Sequence, residues 1–221
     1  MRYLVFADVH GNALAFDQFL IDIRHVAHDK LVFLGDFVGY YYDPERIIQY
    51  CIEHDVICLL GNHDWNFLQM LDGHVEQDVL VGKYGHSYIR AIQTLSERSV
   101  SFLRTLQPVL TVTHPPEASI LFCHGSPLDW LNGRIYPDTD LALFRERVAE
   151  FDFVIAGHTH HKMARSLEHT TFLNPGSLGQ QRDGRGCSYL LLDSSTREFT
   201  FRVVSYDITK LEALVDEFDG G

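Results

Sequence analysis

Residues 56–65 read Val-Ile-Cys-Leu-Leu-Gly-Asn-His-Asp-Trp. An apolar run breaks at Gly61 into three polar side chains in succession, which a buried strand end could not hold without partners. The same grammar recurs four times. ADVHG (7–11), LGDFVG (34–39), LFCHGS (121–126) and IAGHTHH (155–161) each deliver an Asp or His to the end of an apolar run. In open α/β sheets the loops leaving the strands converge at that edge, and ligands bind there.

Taken singly, an Asp or His at a strand end is more often a turn or capping residue than a ligand. Together, Asp8, His10, Asp36, Asn62, His124, His158 and His160 mix hard oxygen donors with imidazole nitrogens, a set suited to Mn, Fe, Co, Ni or Zn. Seven donors exceed the roughly four that one tetrahedral site takes, so two divalent ions sharing a bridging carboxylate is the economical reading.

Around these blocks the first third alternates short apolar runs with amphipathic segments, the pattern of βαβ units and a buried, mostly parallel sheet. It predicts strands at Tyr3–Ala7, Leu31–Leu34 and Val56–Leu60, and helices at Ala13–His25 and Pro44–Glu53. Residues 65–107 read as irregular helix, with Ser96 as an N-cap, and could form an inserted helical cap. Residues 109–123 read as a hairpin turning at Pro115, Pro116 and Glu117. A helix follows at Asp138–Ala149 and a strand at Phe153–Ala156. From Met163 to Tyr206 the pattern is antiparallel, with turns at Asn174–Ser177 and Asp193–Thr196, before a last acidic helix. One domain spanning 1–221 is expected.

The formal net charge of −12 argues against tight non-specific nucleic-acid binding. Four scattered cysteines show no disulfide or zinc spacing, and no apolar run approaches the length of a membrane span, so a cytoplasmic protein without membrane association is expected.

The order Asp-x-His, Gly-Asp, Gly-Asn-His-Asp, His, Gly-His-x-His resembles the calcineurin-like metallophosphoesterase superfamily, from Asp8 to His160. The resemblance implies an α/β fold, a four-layer α/β/β/α sandwich of two packed mixed sheets flanked by helices, with a dinuclear metal centre at the C-terminal ends of the strands. It implies that Asp8, His10 and His160 hold one ion, that Asn62, His124 and His158 hold the other, and that Asp36 bridges them. Manganese is favoured. His63 is then the histidine beside the substrate phosphate and leaving-group oxygen. Asp64 either orients that histidine or caps the following helix. Gly61 would let the backbone turn sharply to present Asn62. The reaction implied is phosphoester hydrolysis by metal-activated hydroxide on a small substrate, including a nucleotide.

Against the Ser/Thr-phosphatase branch, with Gly-Asp-x-Val-Asp-Arg-Gly, this chain has GDFVGYY (35–41). Gly39 replaces the Asp that supports the histidine, and Tyr40 the Arg that clamps a monoester phosphate. This departure, with the downstream HGSP and NPGSLGQQRDG blocks, is similar to the small phosphodiesterase-like group of bacteria and archaea. Phosphodiesters are therefore the expected substrates. The alternatives are a phosphomonoesterase or dinucleoside-polyphosphate hydrolase, in which Arg134 or Arg182 replaces the clamp, and a catalytically silent protein-binding scaffold. Gln180, Gln181, Arg182 and Asp183 are otherwise expected to brace their turn. Tyr40, Tyr41, Tyr42, Trp65 and Trp130 are expected to pack, and His74, His86 and His161 to stand outside the site.

Overall fold

The computed structural model describes residues 1–113 and 118–220. Ten strands form two five-stranded sheets among these residues. The first sheet contains β1 (Arg2–Phe6), β2 (Lys30–Phe33), β3 (Ile57–Cys58), β9 (Cys187–Asp193) and β10 (Glu198–Val204), in the order β10-β9-β1-β2-β3. The second contains β4 (Val109–Thr113), β5 (Ser119–Cys123), β6 (Phe153–Ala156), β7 (Met163–Leu167) and β8 (Thr170–Asn174), in the order β4-β5-β6-β8-β7. In each sheet three parallel strands carry the site loops, and antiparallel neighbours complete the edges.

The period of two along each strand builds the layers. Tyr3, Val5 and Ala7 face the other sheet and meet Ile120, Phe122, Phe153 and Ile155 in an apolar interlayer. The alternate residues Leu4 and Phe6 face outward onto α1 (Ala13–Ile23), where Phe6 packs on Phe19 and stacks on Phe33 at 4.6 Å. On the far face Leu121, Val154 and Phe172 bury Leu141, Phe144 and Val148. The result is the expected four-layer α/β/β/α sandwich.

Several helices start where a side chain provides a cap. Asn12 accepts from Ala15 N at 3.1 Å to open α1, and Asp43 caps α2 (Pro44–Glu53), whose first residue is proline. Between β3 and β4 lie α3 (Asn62–Leu71), α4 (Gln77–Tyr84), α5 (Ser87–Thr94) and α6 (Glu97–Thr105), the last capped by Ser96 as expected. Their buried residues Phe67, Leu80, Tyr88, Ala91 and Leu103 join the same apolar layer as α1 and α2.

Four expectations need correction. Helix α3 begins at Asn62, not Trp65, so Asn62, His63 and Asp64 form its first turn directly after the short β3. The stretch 138–149 is a 3-10 turn (Leu141–Phe144) followed by one α-helical turn, α7 (Arg145–Val148), because three buried positions at i, i+3 and i+7 are satisfied by either geometry. Asn174–Ser177 does not join antiparallel neighbours; it carries the chain from β8 in one sheet to β9 in the other. Trp65 and Trp130 pack only in part, being 43% and 49% exposed.

β4 and β5 pair antiparallel, although Pro115, Pro116 and Glu117 of their expected turn lie outside the described residues. The last helix is α8 (Ile208–Asp219). No helix among the described residues is long and apolar enough to cross a membrane.

Candidate metal centre

All seven expected donors meet at the C-terminal ends of β1, β2, β3, β5 and β6. Asp8, His10, Asp36 and His160 form one group of converging ligand atoms, and Asp36, His124 and His158 a second, with Asp36 common to both. Asn62 joins the second group, its Oδ1 lying 2.9 Å from His124 Nε2.

The backbone is strained to achieve this. Asp8, His10, Asp36, His158 and His160 all have positive φ, between 52° and 65°. Non-glycine residues seldom adopt that region, and when they do the surrounding fold must enforce it. Here the left-handed step turns the chain back over the sheet edge. At Asp8 the crossing segment after β8 enforces it, with Ser177 Oγ and Gly179 N donating to Asp8 O and Leu178 N to Ala7 O; elsewhere the site's own carboxylates do, Asp64 Oδ2 accepting from Asp36 N and the Asp8 carboxylate from His158 N. Gly61 works differently from expectation. Its φ is −91°, open to any residue, but a Cβ there would stand 2.1 Å from Asp36 Oδ1, so the requirement is space.

Three imidazoles are oriented by the backbone. His10 Nδ1 donates to Val38 O at 2.9 Å, His124 Nδ1 to Leu34 O at 2.8 Å and His160 Nδ1 to Gln180 O at 2.5 Å. A carbonyl only accepts, so the ring proton sits on Nδ1 and each Nε2 presents a lone pair, the tautomer a metal ligand needs.

The centre contains buried donors that the protein leaves unsatisfied. Asp36 Oδ2 has no hydrogen-bond partner, yet lies 3.6 Å from His10 Nε2 and 3.5 Å from His124 Nε2; His158 Nε2 is likewise unpartnered. Without a cation, burial pushes the Asp36 carboxyl up to about 8, and burial with the Asp36 charge raises Asp8 well above the usual carboxylate range. Burial holds His124 down to about 4, and burial with the charge of His124 holds His158 down to about 3. Neutral imidazoles and uncompensated carboxylates make an electron-rich pocket that fits divalent cations.

His63 lies beside this pocket, its ring centroid 4.7 Å from that of His10. Asp64 does not orient it. Asp64 Oδ1 accepts from Phe37 N and Val38 N, and Oδ2 from Asp36 N and Gly61 N, at 2.8–3.1 Å. The carboxylate caps α3 and ties the bridging-residue loop to it. The partner of His63 Nδ1 is the Tyr88 hydroxyl of α5, at 3.0 Å.

Other side chains at the site carried no periodic signal in the sequence. Tyr84 places its ring 4.5 Å from that of His63. Tyr40, itself at φ 64°, lies 4.8 Å from His10 and 5.0 Å from His63. Arg182 does more than brace its turn: Nη2 donates to Tyr40 Oη at 2.8 Å and to Gln180 Oε1 at 2.9 Å. Arg134 reaches no described hydrogen-bond partner, although its charge helps lower His158. His74, His86 and His161 stand apart, hydrogen-bonded to Gln69, Asp219 and Thr159.

A divalent-cation site of Asp and His at the strand ends of two packed mixed sheets defines a metallophosphoesterase, and the chain belongs to that family: residues 1–197 match the calcineurin-like phosphoesterase superfamily domain. An uncharacterised protein of Methanocaldococcus jannaschii is 27% identical over 227 residues, covering 93% of this chain and 88% of the relative. The crystal structure of a metallophosphoesterase from Sphaerobacter thermophilus matches with a TM-score of 0.78 at 26% identity, over 98% of this chain and 94% of that one. A hypothetical protein from Pyrococcus horikoshii shares the fold, with a TM-score of 0.81 at 21% identity over 98% and 95% of the two chains.

Proposed function

We propose that this protein hydrolyses phosphodiesters at a centre of two divalent ions. The observation that carries the reading is Asp36: a buried carboxylate common to both donor groups, with one oxygen unpartnered. Asp8, His10 and His160 would hold one ion and Asn62, His124 and His158 the other, with Asp36 between them. Ions so held would supply Lewis acidity toward phosphoryl oxygens and acidify water at neutral pH, manganese being the favoured metal. The chain's own part is to place His63 where charge builds on the leaving oxygen, and to exclude water there with Tyr40, Tyr84 and Tyr88. Residues 65–107 thereby act as a cap on one side of the site.

The diester preference is supported by Tyr40, where a cationic clamp for a dianion is lacking. A second reading, hydrolysis of phosphomonoesters or dinucleoside polyphosphates, is favoured by one observation. Arg182 holds a guanidinium against Tyr40, and its positive charge helps lower His10 and His63 and opposes the rise of Asp36. Four free cysteines support a reducing compartment, the cytoplasm, and a small phosphoester substrate suits the acidic chain. The test is elemental analysis of the purified protein, followed by turnover of diester, monoester and pyrophosphate substrates with each added metal. Turnover of none of them by metal-loaded protein would return the chain to the silent-scaffold alternative.

A further inference from the structure

Tyr88 is fully buried, and among the described residues its hydroxyl bonds only to His63: Nδ1 at 3.0 Å and the His63 carbonyl at 3.3 Å. A buried tyrosine hydroxyl requires a partner. That carbonyl lies in the first turn of α3, where the helix supplies it with a backbone N–H four residues on. Nδ1 is the closer of the two, and the carbonyl already takes the helix N–H.

We propose that Tyr88 is a positioning residue that donates its hydroxyl proton to His63 Nδ1 and thereby fixes the neutral ring proton on Nε2. The inference rests on the phosphoester-hydrolase reading of the site. It makes His63 the opposite tautomer to His10, His124 and His160. Their Nδ1 atoms face carbonyls, which only accept, so their Nε2 atoms are bare and suited to cations. The Nδ1 of His63 faces a hydroxyl, which, unlike a carbonyl, can donate; with that proton on Nδ1's lone pair, Nε2 carries hydrogen and is suited to a phosphoryl or leaving-group oxygen. Nε2 has no hydrogen-bond partner among the described residues. One difference in partner, carbonyl against hydroxyl, separates three cation-facing rings from the one substrate-facing ring.

Position 39 makes this arrangement exclusive. A Cβ on Gly39 would lie 2.3 Å from His63 Nδ1, and φ there is 91°. With this backbone, position 39 has no room for a side chain beside that nitrogen, and the partner comes from α5 instead. Tyr84, one helix earlier, closes the ring's other flank at 4.5 Å. Residues 77–94 thus contribute to the chemistry as well as to the apolar layer. No proton leaves the ring in this scheme: Nε2–H donates a hydrogen bond to the oxygen on which charge builds, and keeps its proton.

The test uses Tyr88→Phe, which keeps the ring and removes only the oxygen. In ¹⁵N-labelled, zinc-loaded protein, long-range proton–nitrogen correlation of the His63 ring should show Nε2–H alone in wild type and a mixture of tautomers in Tyr88→Phe. The kcat should fall about tenfold with KM and metal content unchanged. Introduced into His63→Ala, the same change should cost nothing further, because Tyr88 acts through that ring. Nδ1–H in the wild type, an unaltered tautomer in the variant, or a full additional loss in the His63→Ala background would each overturn the proposal. Failure of wild type to turn over any phosphoester would sink the hydrolase reading instead, and the ring spectrum would still decide the role of Tyr88.

Discussion

His10 and His160 face each other Nε2 to Nε2 at 3.1 Å, while the Nδ1 of each donates to a backbone carbonyl. No hydrogen can lie between the two Nε2 atoms, so two lone pairs confront one another, with Asp8 Oδ1 3.7 Å from His160 Nε2 and Asp36 Oδ2 3.6 Å from His10 Nε2. Such a contact is repulsive unless a cation occupies the space it surrounds.

Purified protein should therefore bind close to two divalent ions per chain, and chelation should lower its Tm. Asp36→Asn removes the charge common to both donor groups and should weaken both ions. Elemental analysis and thermal melts of the two proteins decide the matter; a stoichiometry of one, indifferent to Asp36→Asn, would remove the shared-carboxylate arrangement.

Ion-free protein should lose stability as pH rises from about 6.5 to about 8. Asp36 ionises at its ordinary 3.8 when unfolded but keeps its proton to about 8 when folded, so the folded state holds more protons in that window. His124 and His158, lowered by burial to about 4 and 3, have the opposite sign: stability rises with pH up to their ordinary 6.5 and is constant above. The interval above 6.5 therefore reports the buried carboxyls alone: Asp36, Asp64, which burial and the Asp36 charge also raise to about 8, and Asp8, raised in the same direction. Metal affinity should rise through the same interval and level off beyond it, since the cation displaces the Asp36 proton. Titration calorimetry at pH 7 and pH 9, in buffers of different ionisation enthalpy, measures the proton released.

His63→Ala should lower kcat roughly 10²- to 10³-fold, the usual worth of one donor at a developing oxyanion, and leave metal content intact. Its backbone N–H to Asp36 Oδ1, at 2.9 Å, survives the substitution. Loss of an ion on His63→Ala would show that the ring is itself a ligand.

Asp64→Ala should act on folding more than on chemistry. It strips acceptors from four backbone N–H groups of residues 36, 37, 38 and 61, and each buried group left unsatisfied costs about 1–3 kcal/mol, so a loss of about 3 kcal/mol or more is expected in denaturant titration. A variant of wild-type stability with depressed kcat would restore Asp64 to a direct role.

Wild type should turn over bis-(p-nitrophenyl) phosphate with a higher kcat/KM than p-nitrophenyl phosphate under one metal and pH. A monoester is close to a dianion near pH 7, its second pKa being about 6. Arg182→Ala should lower monoester turnover more than diester turnover, because the guanidinium at Tyr40 is the cation available to the second charge. A clear monoester preference in wild type, abolished by Arg182→Ala, would exchange the first reading for the second.

What could be read from the chain alone was whatever short-range chemistry carries. Alternation of Tyr3, Val5 and Ala7 with Leu4 and Phe6 specifies two faces of a strand, Pro44 and Ser96 mark helix starts, and five apolar runs ending in Asp, Asn or His announce a cation site. What could not be read depends on partners far along the chain. Tyr88 reaches His63 across 25 positions, Asp64 reaches the loop at 36–38 across 26 to 28, and Arg182 reaches Tyr40 across 142. The left-handed backbone at five of the donors is also not readable from residue type: Asp and His enter that region more readily than most residues but at few of their positions, and at Asp8 it is the distant crossing segment at 177–179 that holds it. Local periodicity records which side of an element is buried; it does not record which distant group fills the remaining hydrogen bond. That assignment is made when the two sheets close and the helices after β3 settle over the strand ends.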